Sequence, residues 1–222
     1  MIAVAARVGV CRRDRRRGAG GGAGVTAVAT PVGEADVRLE VPDGTPTALL
    51  LLGHGAGGGV DSADLAEVAA AAFGAGYAVA RVTQPYRVAG RRSPPRAPVL
   101  DEAWLAVAEQ VRVDGLPLVV GGRSSGARVA CRTADRVGAV AVVALAFPTA
   151  PPRTPDKDRL AELAAPSVPV LVVQGERDPF GIPPEAPGRT VTVLPGATHT
   201  IRGPAARAAA VAVIGWLKAV LA

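Results

Sequence analysis

Short aliphatic runs recur along this chain, and most are followed by a turn and then by a helical pattern. The runs that predict strands lie at residues 37–41, 48–52, 77–82, 116–120, 139–147, 168–173 and 190–194. Helical patterns lie between or after them, at residues 61–73, 101–112, 127–137, 158–165 and 204–221. Strands that alternate with helices at this spacing predict an α/β fold, with a mostly parallel central sheet and helices on both of its faces.

The composition suits a sheet that is covered on both faces. Apolar residues make up 49% of the 222 residues but aromatic residues only 3%, so the core must be built from aliphatic strands and alanine-rich helices. No apolar run approaches the roughly 20 residues that a membrane-spanning helix needs. A secretory signal is not expected, because most charges near the start follow the short apolar stretch 2–10. We therefore expect a cytoplasmic protein with no membrane partner.

The net charge of +6 is concentrated at the amino-terminal end. Residues 1–24 hold six arginines against one aspartate, a balance of +5, which leaves +1 for the other 198 residues. We predict that residues 1–24 form a disordered, basic, glycine-rich tail and that residues 25–222 form one α/β domain. The charge therefore does not indicate a nucleic-acid partner for the domain. An arm that contacts an anionic partner is the alternative for the tail.

Cysteine and histidine give no sign of a cofactor or a metal. The two cysteines, Cys11 and Cys131, lie far apart, one in the predicted tail and one in a predicted helix. They do not suggest a disulfide framework. The only histidines are His54 and His199, and no cluster of Cys, His and Asp has the spacing of metal ligands. We predict no cofactor and no metal.

The turn after the predicted strand 116–120 contains the most informative motif. Residues 122–126 read Gly-Arg-Ser-Ser-Gly and fit the pattern G-x-S-x-G between a buried strand and a helix. Glycines at both −2 and +2 hold Ser124 in an exposed, strained position, which predicts a nucleophile, and the N–H of Ser125 is a predicted oxyanion donor. Ser125 is the rival nucleophile and ranks second because it lacks this pair of glycines. A serine that caps the helix is the structural alternative.

Two further strand ends supply an acid and a base. Asp178 follows the predicted strand 168–173 and is placed to orient a histidine, with Glu176 as the alternative acid and a simple turn residue as the structural alternative. His199 follows the last predicted strand, 75 residues after Ser124. The chain order Ser, Asp, His is the one found in α/β-hydrolases. We predict Ser124 as nucleophile, His199 as general base and Asp178 as the acid that orients it.

A glycine-rich loop, residues 53–59, follows the predicted strand 48–52. It reads Gly-His-Gly-Ala-Gly-Gly-Gly, and its glycines allow a close approach of the backbone. The N–H of Ala56 is the predicted second oxyanion donor. His54 is the only other histidine available as a base, but it precedes the serine motif and is predicted to support the loop instead.

A dinucleotide-binding domain is a rival interpretation of the same loop. Gly53, Gly55 and Gly58 fit the pattern G-x-G-x-x-G between a strand and a helix. That interpretation requires an acid at the end of the following strand to bind a ribose. No acid occurs between Glu67 and Asp101, so the pattern fails at its most informative position.

With these motifs in place, the chain resembles a family of small bacterial predicted α/β-hydrolases of the dienelactone-hydrolase-like branch. That family is related to an α/β-hydrolase-like subunit of the animal non-specific lethal acetyltransferase complex. The likeness covers roughly residues 25–222 and lies in GHGAGGG at 53–59, QPYR at 84–87, GGRSSGAR at 121–128, LAFP at 145–148, VQGERDPFG at 173–181 and GATH at 196–199. It implies hydrolase activity and the triad Ser124, Asp178 and His199, with no defined natural substrate. The chain departs from such enzymes at Ser125, where a bulkier residue is common.

The insertion at residues 149–167 has room for one short helix, which predicts a minimal lid. We therefore expect an open, shallow site near Tyr86, Phe147 and Phe180. Such a site favours small or extended acyl substrates over long lipids.

The predicted function is a serine hydrolase of the carboxylesterase or thioesterase type, whose partner is a small-molecule acyl substrate. A non-catalytic scaffold on the same fold is the alternative, because a fold alone never proves activity. For Arg87 and Arg123 we prefer solvated surface positions over contacts with an acidic group on the substrate. The sequence does not define the oligomeric state.

Overall fold

The computed structural model describes residues 24–154 and 156–222, which form an eight-stranded sheet with helices around it. The strands are β1 (Val25–Thr30), β2 (Gly33–Glu40), β3 (Leu49–Gly53), β4 (Ala78–Thr83), β5 (Leu118–Arg123), β6 (Ala141–Leu145), β7 (Val170–Gly175) and β8 (Arg189–Leu194). Their order across the sheet is β1-β2-β4-β3-β5-β6-β7-β8. β2 pairs antiparallel with β1 and β4, and the remaining pairs are parallel. The predicted mostly parallel sheet is confirmed, whereas the predicted tail lies, except for Gly24, outside the described residues.

The helices within these residues are α1 (Ala63–Gly74), α2 (Pro85–Val88), α3 (Ala97–Val111), α4 (Ser125–Thr133), α5 (Leu160–Leu163) and α6 (Pro204–Val220). Trp104 and Val107 of α3 pack with α4 in an apolar cluster on one face of the sheet. Leu65 of α1 and Leu217 of α6 pack in a second cluster on the other face. None of the helices in the described part of the chain combines the length and the apolarity needed to cross a membrane.

The central strands are buried on both faces. Every residue of β3 is buried. Because successive side chains of a strand point to opposite faces, Leu49 and Leu51 join the first cluster, whereas Leu50 and Leu52 join the second. This burial on two sides explains why the strand is apolar throughout instead of alternating with polar residues.

The structure contains two elements that the sequence did not predict. β1 forms an edge hairpin with β2, and α2 is one helical turn within a loop that we expected to be irregular. The boundaries of other elements shift by a few residues. β2 begins at Gly33 instead of residue 37, α3 begins at Ala97 instead of residue 101, and α4 begins directly after the Ser124 turn.

The segment between β6 and β7 contains the single-turn helix α5, which matches the predicted minimal lid. Glu162 of α5 accepts two bonds from Arg128 at 2.6 and 2.7 Å and one from Arg132 at 2.9 Å. Arg132 also pairs with Asp101 of α3 at 2.6 and 2.9 Å. Burial opposes the ionisation of Glu162, but the bonds and charges of both arginines outweigh it and lower its pKa. Helix α5 is therefore fastened to the helix that follows Ser124.

Candidate active site

Ser124 lies at the sharp turn between β5 and α4. Its backbone has φ 51° and ψ −109°, a region that residues other than glycine rarely adopt. The Ser124 N–H donates to the carbonyl of Leu145 at 2.9 Å, which ties the turn to β6. A Cβ on Gly122 would lie 2.5 Å from the carbonyl oxygen of Gly53, so glycine alone fits beside the turn. The strained turn that the motif predicted is present, and the surrounding backbone holds it in place.

Three side chains from separate strand ends meet at this turn. His199 Nε2 lies 3.0 Å from Ser124 Oγ, and His199 Nδ1 lies 2.8 Å from Asp178 Oδ2. An ionised carboxylate only accepts hydrogen bonds, so the Nδ1–H of the histidine donates to Asp178 and its Nε2 accepts the serine O–H. The structure thus brings together the three residues that the sequence predicted as nucleophile, base and acid.

The Asp178 carboxylate has no exposed surface and is held by several donors. Gln174 Nε2 donates to Oδ2 at 2.8 Å, and the N–H of Phe180 donates to Oδ1 at 2.9 Å. Gln174 is itself fully buried at the end of β7 and also donates to the carbonyls of Phe147 and Gly181. This glutamine is not among the site residues predicted from the sequence. A lone polar residue that ends an apolar strand four positions before the acid is the signal that could have found it.

Glu176, the alternative acid, bonds elsewhere. It is exposed, and its Oε2 accepts the N–H of Gly196 at 2.7 Å. Glu176 therefore contacts the backbone of the loop that carries His199, whereas the imidazole itself is bonded to Asp178.

The His199 loop, residues 195–203, follows β8 and packs closely on the end of β7. A Cβ on Gly175 would lie 2.6 Å from the carbonyl oxygens of both Ala197 and Thr198, so the approach requires glycine. The ring of Phe180 is half-buried and lies 4.5 Å from the His199 ring, centroid to centroid. Of the three residues predicted around the substrate, Phe180 is therefore the one in contact with the predicted base.

The glycine-rich loop lies against the serine turn. A Cβ on Gly55 would lie 3.6 Å from Ser124 Cβ. The hydroxyl of Tyr86 donates to the carbonyl of Ala56 at 2.8 Å, which fixes the loop at the predicted oxyanion donor. On the other side, Ser125 is the first residue of α4, so its N–H has no acceptor within the helix. Both predicted donors thus belong to segments that border Ser124.

His54 supports the glycine-rich loop from below. It is 3% exposed, its Nδ1–H donates to the carbonyl of Gly55 at 2.8 Å, and its Nε2 accepts the N–H of Gln84 at 3.1 Å. Burial lowers the pKa of His54, although the bond to the Gly55 carbonyl acts in the opposite direction. Both ring nitrogens are occupied by backbone groups, as expected for a supporting residue.

Cys131 in α4 is the one free thiol among the described residues. Burial raises its pKa to about 12, with the charge of Glu162 acting in the same direction. A thiol in this state is not a nucleophile at neutral pH.

Two predictions for the substrate side need correction or refinement. Phe147 has no exposed surface and packs in the cluster with α3 and α4, so the prediction that it lines an open site is wrong. The strand ends at Leu145, and the following aromatic residue fills the core instead of the cleft. Tyr86 is only 7% exposed, and its hydroxyl is already bonded to the glycine-rich loop.

Arg123 lies neither on the solvated surface nor where it was considered to meet an acidic group of the substrate. Its Nε donates to Asp64 Oδ2 at 2.8 Å, and its Nη2 donates to the carbonyl of His199 at 2.8 Å. The side chain of Arg123 is 14% exposed and that of Asp64 1%. The preference for a solvated surface position is wrong, because a buried carboxylate on α1 requires a cationic partner.

A small cavity adjoins the serine turn. The volume that the centre of a water molecule can occupy in it is about 10 Å³, which is enough for about one water. Its lining includes Tyr86, Trp104 and Ser125. A larger depression of about 150 Å³, lined by Leu105 and Arg136 among others, includes none of the predicted site residues. Neither Ser124 nor His199 lines either of these two spaces.

The sheet order, the strained serine turn and the line of three hydrogen-bonded side chains together define an α/β-hydrolase. Residues 46–199 match the family described as "Alpha/beta hydrolase domain", and the chain belongs to that family. The match spans more than half of the chain and includes all three of these side chains. No curated protein sequence matches the chain.

Solved structures from several organisms share the fold. An α/β serine hydrolase homologue from Coxiella burnetii has a TM-score of 0.69 and 18% identity, over 94% of this chain and 100% of that one. A serine hydrolase without a lid from Xanthomonas campestris has a TM-score of 0.69 and 19% identity, over 93% and 96%. Dienelactone hydrolase from Anabaena variabilis has a TM-score of 0.68 and 19% identity, over 88% and 96%. At these identities the likeness shows the fold alone.

Proposed function

We propose that this protein is a serine hydrolase that acts on a carboxylic ester or a related acyl substrate through an acyl-enzyme on Ser124. The observation that carries the proposal is the hydrogen-bonded line from Asp178 through His199 to Ser124, with distances of 2.8 and 3.0 Å. Membership of the α/β hydrolase family supports the same class of reaction. The proposed type is a carboxylesterase or thioesterase.

In the proposed reaction, Ser124 Oγ attacks the carbonyl carbon of the substrate while His199 Nε2 takes the serine proton. Asp178 keeps the Nδ1–H bonded and stabilises the imidazolium that forms. The tetrahedral intermediate then expels the leaving group, which receives the proton from His199, and the acyl group stays on Ser124. Water attacks the acyl-enzyme with His199 as the base, and the carboxylic acid is released.

The backbone N–H groups of Ala56 and Ser125 are the proposed oxyanion donors. The contact of Gly55 with the serine turn and the bond from Tyr86 to the Ala56 carbonyl support the first donor. The position of Ser125 at the start of α4 supports the second, because the first N–H groups of a helix have no helical acceptor.

Small or extended acyl groups are the proposed substrate class. The segment between β6 and β7 contains only one helical turn among its described residues, so it offers little cover for a long acyl chain. Phe180, which lies beside His199, offers an apolar contact at the rim. Strong activity on long-chain triglycerides with little on short acyl esters would contradict this proposal.

The alternative is a non-catalytic scaffold. No observation on the described residues favours it, since a scaffold does not need the hydrogen-bonded side chains of Ser124, His199 and Asp178. The relation to a subunit of the non-specific lethal acetyltransferase complex stays a prediction, as does the cytoplasmic location.

A fluorophosphonate probe tests the proposal, because it reacts with an activated serine. We expect the wild-type protein to take the label and Ser124→Ala to lose it, together with a loss of about 10⁴-fold or more in the hydrolysis of short acyl esters. The thermal midpoint of the variant, measured alongside, should show that it remains folded. A folded wild-type protein that takes no label would favour the scaffold and overturn the hydrolase proposal.

Ser125→Ala is the matched control, because it removes the rival hydroxyl one residue away but keeps the backbone N–H. We expect this variant to retain most of the label. Loss of the label in Ser125→Ala, with retention in Ser124→Ala, would assign the nucleophile to Ser125 and contradict the proposed role of Ser124.

A further inference from the structure

Arg123 connects three parts of the site through a single guanidinium group. Its Nε donates to Asp64 Oδ2 and its Nη2 donates to the His199 carbonyl, each at 2.8 Å. Its Nη1 lies against the glycine-rich loop, where a Cβ on Gly55 would be 2.8 Å away. These contacts join α1, the His199 loop and the glycine-rich loop. Because Arg123 directly precedes Ser124, the three segments are joined beside the proposed nucleophile.

The buried carboxylate of Asp64 fixes the direction of the guanidinium. Asp64 is 1% exposed, and its other oxygen, Oδ1, accepts the N–H of Leu65 at 2.9 Å. A buried carboxylate without a cation is strongly destabilising, so Arg123 must stay in place. The donors of a guanidinium form a rigid planar fork, so the bond from Nε to Asp64 also sets where Nη2 points. Asp64 thereby orients the Arg123 side chain towards the His199 carbonyl.

Polar contacts supplement the packing of the His199 loop on β7, because few of its residues are buried. Within residues 195–203 only Ile201 is buried. The bond from Arg123 reaches the backbone of His199 itself, whose ring must stay 3.0 Å from Ser124 Oγ. A change in the backbone at this residue would move the ring directly.

We propose that Arg123 is a positioning residue that holds the His199 backbone in register with Ser124, and that Asp64 positions Arg123 in turn. The inference rests on the proposed function, in which His199 is the general base. Arg123 does not touch the reacting atoms, so its loss slows the chemical step and leaves substrate binding nearly unchanged. A displacement of about 1 Å at a reacting group lowers the rate by about 100-fold.

A set of variants separates this role from simple charge balance. Arg123→Met removes the bond to His199 but leaves the Asp64 carboxylate without a cation, so the single variant is expected to be unstable. The double variant Arg123→Met/Asp64→Asn removes the buried charge as well. We expect its thermal midpoint to recover towards that of the wild type, whereas kcat for a short acyl ester stays about 10- to 100-fold low and KM changes less than about twofold.

Two further variants complete the set. Asp64→Asn keeps one oxygen that accepts from Arg123 but leaves either this bond or that of the Leu65 N–H without an acceptor, so kcat should fall less than in the double variant. Arg38→Met removes an arginine of β2 that bonds Asp61 at 2.7 Å; Asp61 keeps a second bond from Arg81 at 3.0 Å, so the variant should change neither kcat nor KM. Recovery of kcat together with stability in the double variant would show that Arg123 only balances the charge of Asp64, and would overturn the proposal.

Amide hydrogen exchange of the peptides that span residues 195–203 gives a readout that does not need activity. We expect faster exchange in the double variant than in the wild type or Asp64→Asn, with no change in peptides from α6. Unchanged exchange in these peptides would overturn the positioning role whatever the kinetics show. A wild-type protein without fluorophosphonate label would instead overturn the proposed function, and the exchange result would still decide whether Arg123 holds the loop.

Discussion

The serine turn and the loop after β8 reach the same site by different means. Ser124 is held by main chain: Gly122 leaves no room for a Cβ beside the backbone of Gly53, and the serine N–H is bonded to β6. The loop after β8 also packs its backbone closely on Gly175, but most of it is exposed, and side chains supply further contacts, Glu176 at one point and Arg123 at another. Close packing of backbone thus places the nucleophile, whereas the loop of the proposed base combines one such approach with polar contacts from side chains.

The largest expected effect lies in the serine turn. Gly122→Ala would place a Cβ 2.5 Å from the carbonyl oxygen of Gly53, and neither backbone can move without disturbing the sheet. We expect the free energy of unfolding in urea to fall by about 1–3 kcal/mol and ester hydrolysis to fall by about 100-fold. The control is Gly215→Ala in α6, where a Cβ meets nothing within 4 Å and should stabilise the helix by about 0.5–1 kcal/mol. Full activity in Gly122→Ala would contradict the claim that packed backbone places the nucleophile.

An intermediate effect is expected at the acid. Gln174→Leu keeps the size of the side chain but removes the donor to Asp178 Oδ2 at 2.8 Å. A hydrogen bond to a charged group contributes about 1.5–3 kcal/mol, so we expect kcat for a short acyl ester to fall by about 10-fold or more. Circular dichroism should be recorded in parallel, because the carbonyls of Phe147 and Gly181 also lose their donor. An unchanged kcat would mean that Phe180 and His199 suffice to hold the carboxylate.

The smallest effect is expected at the exposed edge of the loop after β8. Glu176→Ala removes the acceptor of the Gly196 N–H, but water can replace it because the site is exposed. We expect kcat within about threefold of the wild type and a loss of less than about 1 kcal/mol in the free energy of unfolding. A much larger fall in kcat would show that the contact of Glu176 with Gly196 also positions His199. Arg123 would then not be the main polar anchor of this loop.

The central part of the fold follows from local patterns. Strands such as β3 and β7 are buried on both faces, so their apolar runs stand out against the glycine-rich turns that end them. β1 gave no such signal, because only Val28 of its six residues is buried. A strand at the edge of a sheet needs little apolar surface, and its pairing with β2 is visible only once the chain has folded.

The three joined side chains were predictable for a related reason. Ser124, Asp178 and His199 each follow a strand, and the carboxyl ends of parallel strands lie at one edge of the sheet. The pairing of Arg123 with Asp64 crosses 59 positions and involves an acid on a helix, where no periodicity marks it as buried. The wrong prediction for Phe147 has a related origin. The sequence does not show whether an apolar side chain just past a strand end packs into the core or lines the site.

The ion pairs of helix α5 have a consequence for the rate of turnover. Glu162 is fastened to α4 by bonds of 2.6 to 2.9 Å, so α5 is held against the helix that begins beside Ser124. For the hydrolase that we propose, we therefore expect that α5 does not swing aside in each catalytic cycle, and that the opening of a lid does not limit kcat.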